Sequence, residues 1–191
     1  CASHYKPDGT PYDLYKDGLR IYTTIDSRLQ NYAEAAVEEH LSQDLQPLFF
    51  EHWKGFTHAP FYFEENADEQ IKKIMNQAIR RSDRYRNLKR AGVSNDSIYE
   101  SFRTPVPMRV FSWEGEIDTV MTPLDSIRYY KYFLHAGLMS MEPHTGQVKA
   151  YVGGINYKHF KYDHVTQGAR QVGSTFKPFL YTLAMQNGLS P

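Results

Sequence analysis

Ser174 and Lys177, in the run Gly173-Ser174-Thr175-Phe176-Lys177-Pro178-Phe179, are the pair whose types and spacing suit a reaction. A serine hydroxyl is a poor nucleophile until a neighbouring base takes its proton. A lysine is such a base when desolvation or nearby positive charge lowers its pKa. Three residues apart on a helix, the two side chains share a face. A helix start adds a positive field that favours negative charge on the serine oxygen. The Ser174 backbone N–H can supply half of an oxyanion hole, and Gly173 lets a substrate approach closely. Spacing alone does not select this chemistry. Ser3-His4-Tyr5-Lys6 repeats it in a turn-rich tail, and a plain serine cap followed by a surface lysine would read the same.

The elements that must position this pair are legible around it. A final helix is expected from Ser174 to about Asn187, closed by Gly188. Pro178 fits a helix only near its first turn, where a missing N–H costs nothing, and this sets the start. Residues 138–141 and 147–152 read as a hairpin turning through Pro143-His144-Thr145-Gly146, and 153–173 as a loop. Further upstream, residues 1–18 carry Pro7-Asp8-Gly9 and Pro11 and read as a linker. Residues 19–25 are β-branched and aromatic, a strand pattern; Asp26 then caps a helix over 27–43, with Leu29, Tyr32, Ala33, Ala36, Val37 and Leu41 on one face.

Residues 44–66 look irregular and aromatic. One helix is expected over 67–91, acidic at Asp68 and Glu69 and basic from Arg80 to Arg90, the order the helix dipole favours. Its basic half reads as a solvated face, with anionic polymer as the alternative partner. A hairpin follows over 108–121, turning at Glu114-Gly115. Thr122 caps a further helix, with Pro123 at its first position and Asp125 three residues after the cap, and that helix is expected to end near Ala136-Gly137.

Three separated stretches resemble the penicillin-binding transpeptidases of the class A, bifunctional kind. The first is Gly18-Leu-Arg-Ile-Tyr-Thr-Thr-Ile-Asp26 with the helix after it. The second is Val110-Phe-Ser-Trp113 followed by Met121-Thr-Pro-Leu-Asp-Ser126. The third runs from Ala136 through Pro143-His-Thr-Gly146 and Val152-Gly-Gly154 to Arg170-Gln-Val-Gly-Ser-Thr-Phe-Lys-Pro-Phe179. The resemblance implies an α+β chain: a partial penicillin-binding/transpeptidase fold, an incomplete sheet with helices, plus an inserted mixed subdomain. It divides the chain into a linker (1–18), the first strand and helix of the transpeptidase domain (19–43), the insertion (44–135), and the hairpin, loop and nucleophile helix (136–191). It implies that Ser174 attacks a D-alanine carbonyl of a peptidoglycan stem peptide while Lys177 accepts the proton, with Gly173 and the Ser174 N–H at the substrate. β-Lactams would acylate the same serine. The parent protein would also polymerise a lipid-linked glycan precursor through a glycosyltransferase domain whose sequence is not visible in this chain.

The departures from the pattern carry weight. Such enzymes also use Ser-x-Asn and Lys-Thr/Ser-Gly, and neither occurs in this chain; Thr145-Gly146 follows His144 and sits in a turn. The chain alone is therefore expected to be inactive. Val172 replaces a usual proline, and Tyr162-Asp163-His164 a usual Phe-Asn-Arg, changes expected to affect loop packing more than chemistry. The aromatics and basic helix of 44–135 suit either cell-wall partner proteins and glycan or packing against the transpeptidase core. The competing reading is a non-catalytic envelope interaction module; a serine β-lactamase fits less well, lacking the Tyr-Thr-Thr-Ile-Asp segment and the long insertion.

Composition narrows the field further. With 22 basic and 22 acidic residues, no charge excess points to nucleic acid. Aromatics make up 15% of the chain, ring surface suited to half-buried positions and interfaces. Cys1, the single cysteine, excludes an intrachain disulfide; its Cys-Ala-Ser setting is lipoprotein-like, but a chance boundary explains it more simply. No apolar run approaches the ~20 residues a membrane helix needs, so any anchor is expected upstream, on a protein facing the periplasm from the inner membrane. The eight histidines show no zinc spacing and Gly153-Gly154 lacks a following Gly-Lys-Thr/Ser, so no metal or cofactor is expected.

Overall fold

The structure, a computed structural model, describes residues 4–190. The readings placed on Cys1 and Ser3 lie outside the described residues. The helices are α1 (Ser27–Glu39), α2 (Gln46–His52), α3 (Ala67–Arg81), α4 (Asp83–Arg90), α5 (Asn95–Ser101), α6 (Pro123–Tyr130) and α7 (Lys177–Gln186). Two separate antiparallel hairpins complete the set: β1 (Val106–Ser112) with β2 (Gly115–Met121), and β3 (Leu138–Met141) with β4 (Val148–Val152). The α+β expectation holds.

Asp26 caps α1 as its sequence predicts. Its carboxylate accepts the N–H groups of Arg28 at 2.9 Å and Leu29 at 3.3 Å, satisfying two donors that the first helical turn leaves free. The face carrying Ala33, Val37 and Leu41 is buried against Ala150 and Val152 of β4, with Trp113, Leu134 and Ile155 around it. The helix does not stop near residue 43. It widens into a π-helical stretch, His40–Leu45, and resumes as α2. Pro47 stands in the first turn of α2 and has no N–H to give the preceding turn, so the hydrogen-bond ladder loosens just before it.

The segment 19–25 is a correction. It forms no strand: Thr24 Oγ1 donates to Val148 O at 2.6 Å and the Asp26 N–H to Lys149 O at 2.9 Å, but only these end bonds reach β4. Ile21 and Tyr22 are left 65% and 88% exposed. β-Propensity without an adjacent ladder and a face to bury does not make a strand.

The helix expected over 67–91 is two. Ser82 adopts extended geometry, accepts the Tyr85 N–H at 3.3 Å and donates to Ile79 O at 2.6 Å, so it ends α3 and caps α4 at once. α5, absent from the sequence reading, is capped by Ser94 and carries Ile98 into a second core with Ile79 and Phe102.

The first hairpin pairs Val106 with Met121 through to Ser112 with Gly115, where Gly115 takes a φ of +116° that a side chain would disfavour. Thr122 caps α6 as predicted, accepting the Asp125 N–H at 3.0 Å. α6 ends at Tyr130 rather than near Ala136. Gln46, 1% exposed, takes the Tyr132 carbonyl at 2.8 Å and the Leu134 N–H at 2.9 Å, backbone groups that a continuing helix would bond internally. The β3–β4 hairpin lies where its sequence predicts.

Rings join these parts. Phe111 of β1 meets Phe133 at 5.1 Å and Phe160 at 5.3 Å, both edge to face. The Tyr129 hydroxyl donates to Phe111 O at 2.7 Å, and the Tyr130 hydroxyl accepts the Phe111 N–H at 3.2 Å. Much of the aromatic content therefore packs residues after α6 and the 153–173 loop against the first hairpin.

Candidate active site

Gly173 opens the nucleophile segment at φ +51°, and a Cβ there would meet nothing within 4 Å. The constraint at this position is thus backbone conformation, and the side facing outward is open. Residues Gly173–Phe176 then form a 3-10 turn and Lys177 begins α7. Ser174 was expected to be the first residue of the α-helix; it lies instead in this tighter turn. The cause is Thr175, whose N–H bonds Val172 O at 3.1 Å and whose Oγ1 donates to the same carbonyl at 2.5 Å. The Lys177 N–H in turn bonds the Ser174 carbonyl. Residues three apart eclipse in a 3-10 turn, so Ser174 and Lys177 lie on one side of it. Pro178 falls in the first turn of α7, as predicted.

Both side chains are exposed. Among the described residues no hydrogen bond joins Ser174 Oγ to Lys177 Nζ, and the surroundings do not supply the burial that would desolvate the lysine. No residue of α7 is buried; Phe179 is 70% exposed, and only Ala184 is half-buried.

The loop before the pair is built around Asp163, a residue the sequence reading treated only as a departure. Its carboxylate accepts the hydroxyls of Tyr151 and Thr166 and the N–H groups of Val165 at 2.9 Å and Thr166 at 3.2 Å. These bonds, the Tyr151 hydroxyl first, hold its pKa down to about 2. The His164 N–H closes the loop onto Gly153 O at 2.7 Å. Gly153 is needed there: a Cβ would come within 3.2 Å of Asp163 Oδ1. The signal in the sequence was an Asp with a Thr three residues on, the pattern of a side chain satisfying its own loop. Among the described residues no group of three His, Cys, Asp or Glu could hold a metal ion, and no helix is long and apolar enough to cross a membrane.

A family model described as the penicillin-binding protein middle domain matches residues 57–134. Penicillin-binding protein 1A of Rickettsia prowazekii is 27% identical over 94% of this chain and 24% of its own length. The penicillin-binding proteins 1A of Escherichia coli and Vibrio cholerae are each 28% identical over 92% of the chain, which covers 24% and 25% of them. The chain thus spans about a quarter of the length of these relatives. No solved structure matches it. A middle-domain match inside a similarity that runs along nearly the whole chain makes this chain similar to one segment of the penicillin-binding proteins 1A.

Proposed function

We propose that this chain supplies the nucleophile segment of a serine-type, penicillin-sensitive D,D-transpeptidase of peptidoglycan synthesis, within a bifunctional synthase on the periplasmic side of the inner membrane. The observation that carries this reading is the turn at Gly173–Phe176: it sets Ser174 and Lys177 on one side, behind an open glycine, at the mouth of a helix. In the proposed reaction Ser174 Oγ bonds to the penultimate D-alanine carbonyl carbon, Lys177 takes the serine proton, and the terminal D-alanine leaves. An amine of a neighbouring stem then displaces the serine, forming the cross-link and restoring the hydroxyl. In this reading the Ser174 N–H, at the start of the helical segment, stabilises the oxyanion. A β-lactam stops at the acyl-serine stage. The parent's glycosyltransferase would use lipid-linked glycan as its substrate.

The domain division at 18, 43 and 135 belongs to the same proposal. So does the inactivity of this chain by itself, because a lone turn gives Lys177 no desolvated setting and the chain carries neither Ser-x-Asn nor Lys-Thr/Ser-Gly. The test is acylation by a fluorescent penicillin, with the labelled peptide located by mass spectrometry. In the full-length protein the label should sit on Ser174 and be lost in Ser174→Ala; label on another residue would refute the assignment. The alternative, a non-catalytic envelope module, predicts no acylation of the full-length protein at all.

A further inference from the structure

Between α3, α6 and the loop before Ser174 lies a cleft of about 970 Å³. Tyr130, Phe133 and Phe160 give it ring surface; Lys131, Arg170, His135 and His159 give it nitrogen; and among the described residues no Asp or Glu lines it. The chain as a whole is neutral, so this is a local imbalance.

The cations differ in what already satisfies them. His159 is occupied on both ring nitrogens, by the Glu116 carboxylate at 2.6 Å and the Tyr130 hydroxyl at 3.0 Å, and Glu116 is further matched by Lys158 at 2.7 Å. That group is a fixed wall. His135 reaches the surface, yet the atoms crowded round its ring, and secondarily His164, hold its pKa down to about 4, so near neutral pH it offers a hydrogen bond and no charge. The Lys131 ammonium and the Arg170 guanidinium have no carboxylate or hydrogen-bond partner among the described residues. The Lys131 side chain reaches the surface, yet the atoms crowded round it and the Arg81 charge both disfavour its ammonium form. An anion seated beside it would relieve that cost, and the planar fork of Arg170 suits two oxygens at once.

The volume is too large for a lone ion and falls in the range of roughly 300–1,000 Å³ typical of small-molecule sites. The rings ask for an apolar or planar body to lie against them. We propose that this cleft binds an organic oxyanion, a phosphate or carboxylate carried on a ring-sized body, with Lys131 and Arg170 neutralising its charge. Nothing in this depends on Ser174 reacting.

The test uses amide chemical shifts of the full chain, titrated with phenyl phosphate, benzoate, phenol and inorganic phosphate. Phenyl phosphate and benzoate should give saturable shifts around Ser126, Lys131, His135 and Arg170, and the tighter of the two identifies the group the cleft prefers. Phenol, which lacks the charge, and inorganic phosphate, which lacks the body, should bind less well than either. K131Q and R170Q should each weaken binding by roughly tenfold or more, while K72Q, an exposed cation outside the cleft, leaves it unchanged. Circular dichroism of each variant confirms that the fold is kept. Equal weakening by K72Q would reduce the effect to general charge and overturn the proposal. So would a K131Q variant that lowers the unfolding temperature without moving affinity, which would leave Lys131 serving only the C-terminal end of α6.

Discussion

At the scale of single residues, this chain places more demand on Asp163 than on any acid near the proposed nucleophile. One carboxylate accepts two hydroxyls and two backbone N–H groups and so holds the 162–168 loop against β4. Its folded pKa of about 2 lies below the ordinary 3.8, so the ionised form is favoured by folding. The sign follows: its contribution is complete above the unfolded value and is lost as pH falls through about 4 towards 2. Asp163→Asn keeps an acceptor for the backbone donors but cannot titrate. Thermal unfolding followed from pH 5 to about 2 should therefore show a steeper loss in the parent chain than in the variant. Parallel curves would mean that the loop bonds do not hold the carboxylate as described. Sequence named this position only by its difference from the family pattern, because hydrogen bonds from Tyr151 require the loop to have folded back first.

Elements were legible where their signals are local. Asp26, Thr122 and the Pro143–Gly146 turn each satisfy backbone groups within three residues of themselves, and each was found where the sequence put it. Elements decided from far away were not. α6 stops because Gln46, distant in sequence, takes its next backbone groups. Residues 19–25 have strand composition but no ladder. Ser82 splits a helix with continuous polar and apolar periodicity on both sides of it, a choice between capping and interior that periodicity cannot make. α5 went unseen because seven residues offer barely two turns of pattern, yet it carries the most enclosed side chain of the second core. Ile98 is 0% exposed against Ile79 and Phe102. Ile98→Ala should cost about 2–5 kcal/mol, the range for emptying a buried aliphatic site. Denaturant unfolding is the measurement. A loss under about 1 kcal/mol would show that α3, α4 and α5 do not share one tightly packed core.

For the whole molecule the question is how the two cores relate to the segment proposed to react. α1 with β4, and α3 with α5, are each buried on a defined face. The ring cluster of Phe111, Phe133 and Phe160 then ties the family-matched stretch to the loop after β4. α7 shares in none of this: its apolar side chains, Phe179, Leu180 and Leu183 among them, stay more than half exposed. A helix of ten residues without a packed face is marginal in water, since most helical stability in proteins comes from burying such a face. The sequence put Ser174 at the first residue of this helix and it lies instead in the 3-10 turn just before it; no local pattern could show whether the helix is docked. Hydrogen exchange separates the two states. In this chain the amides of α7 should exchange within about tenfold of an unfolded peptide, while those of α1 and β4 follow global unfolding. The same chain should give no stable acylation by penicillin, because a fraying turn cannot hold Ser174 and Lys177 together long enough to share a proton. Protection of α7 equal to that of α1 would contradict this account and require a packing partner for its apolar face. Inactivity would then rest on the absent Ser-x-Asn and Lys-Thr/Ser-Gly motifs alone.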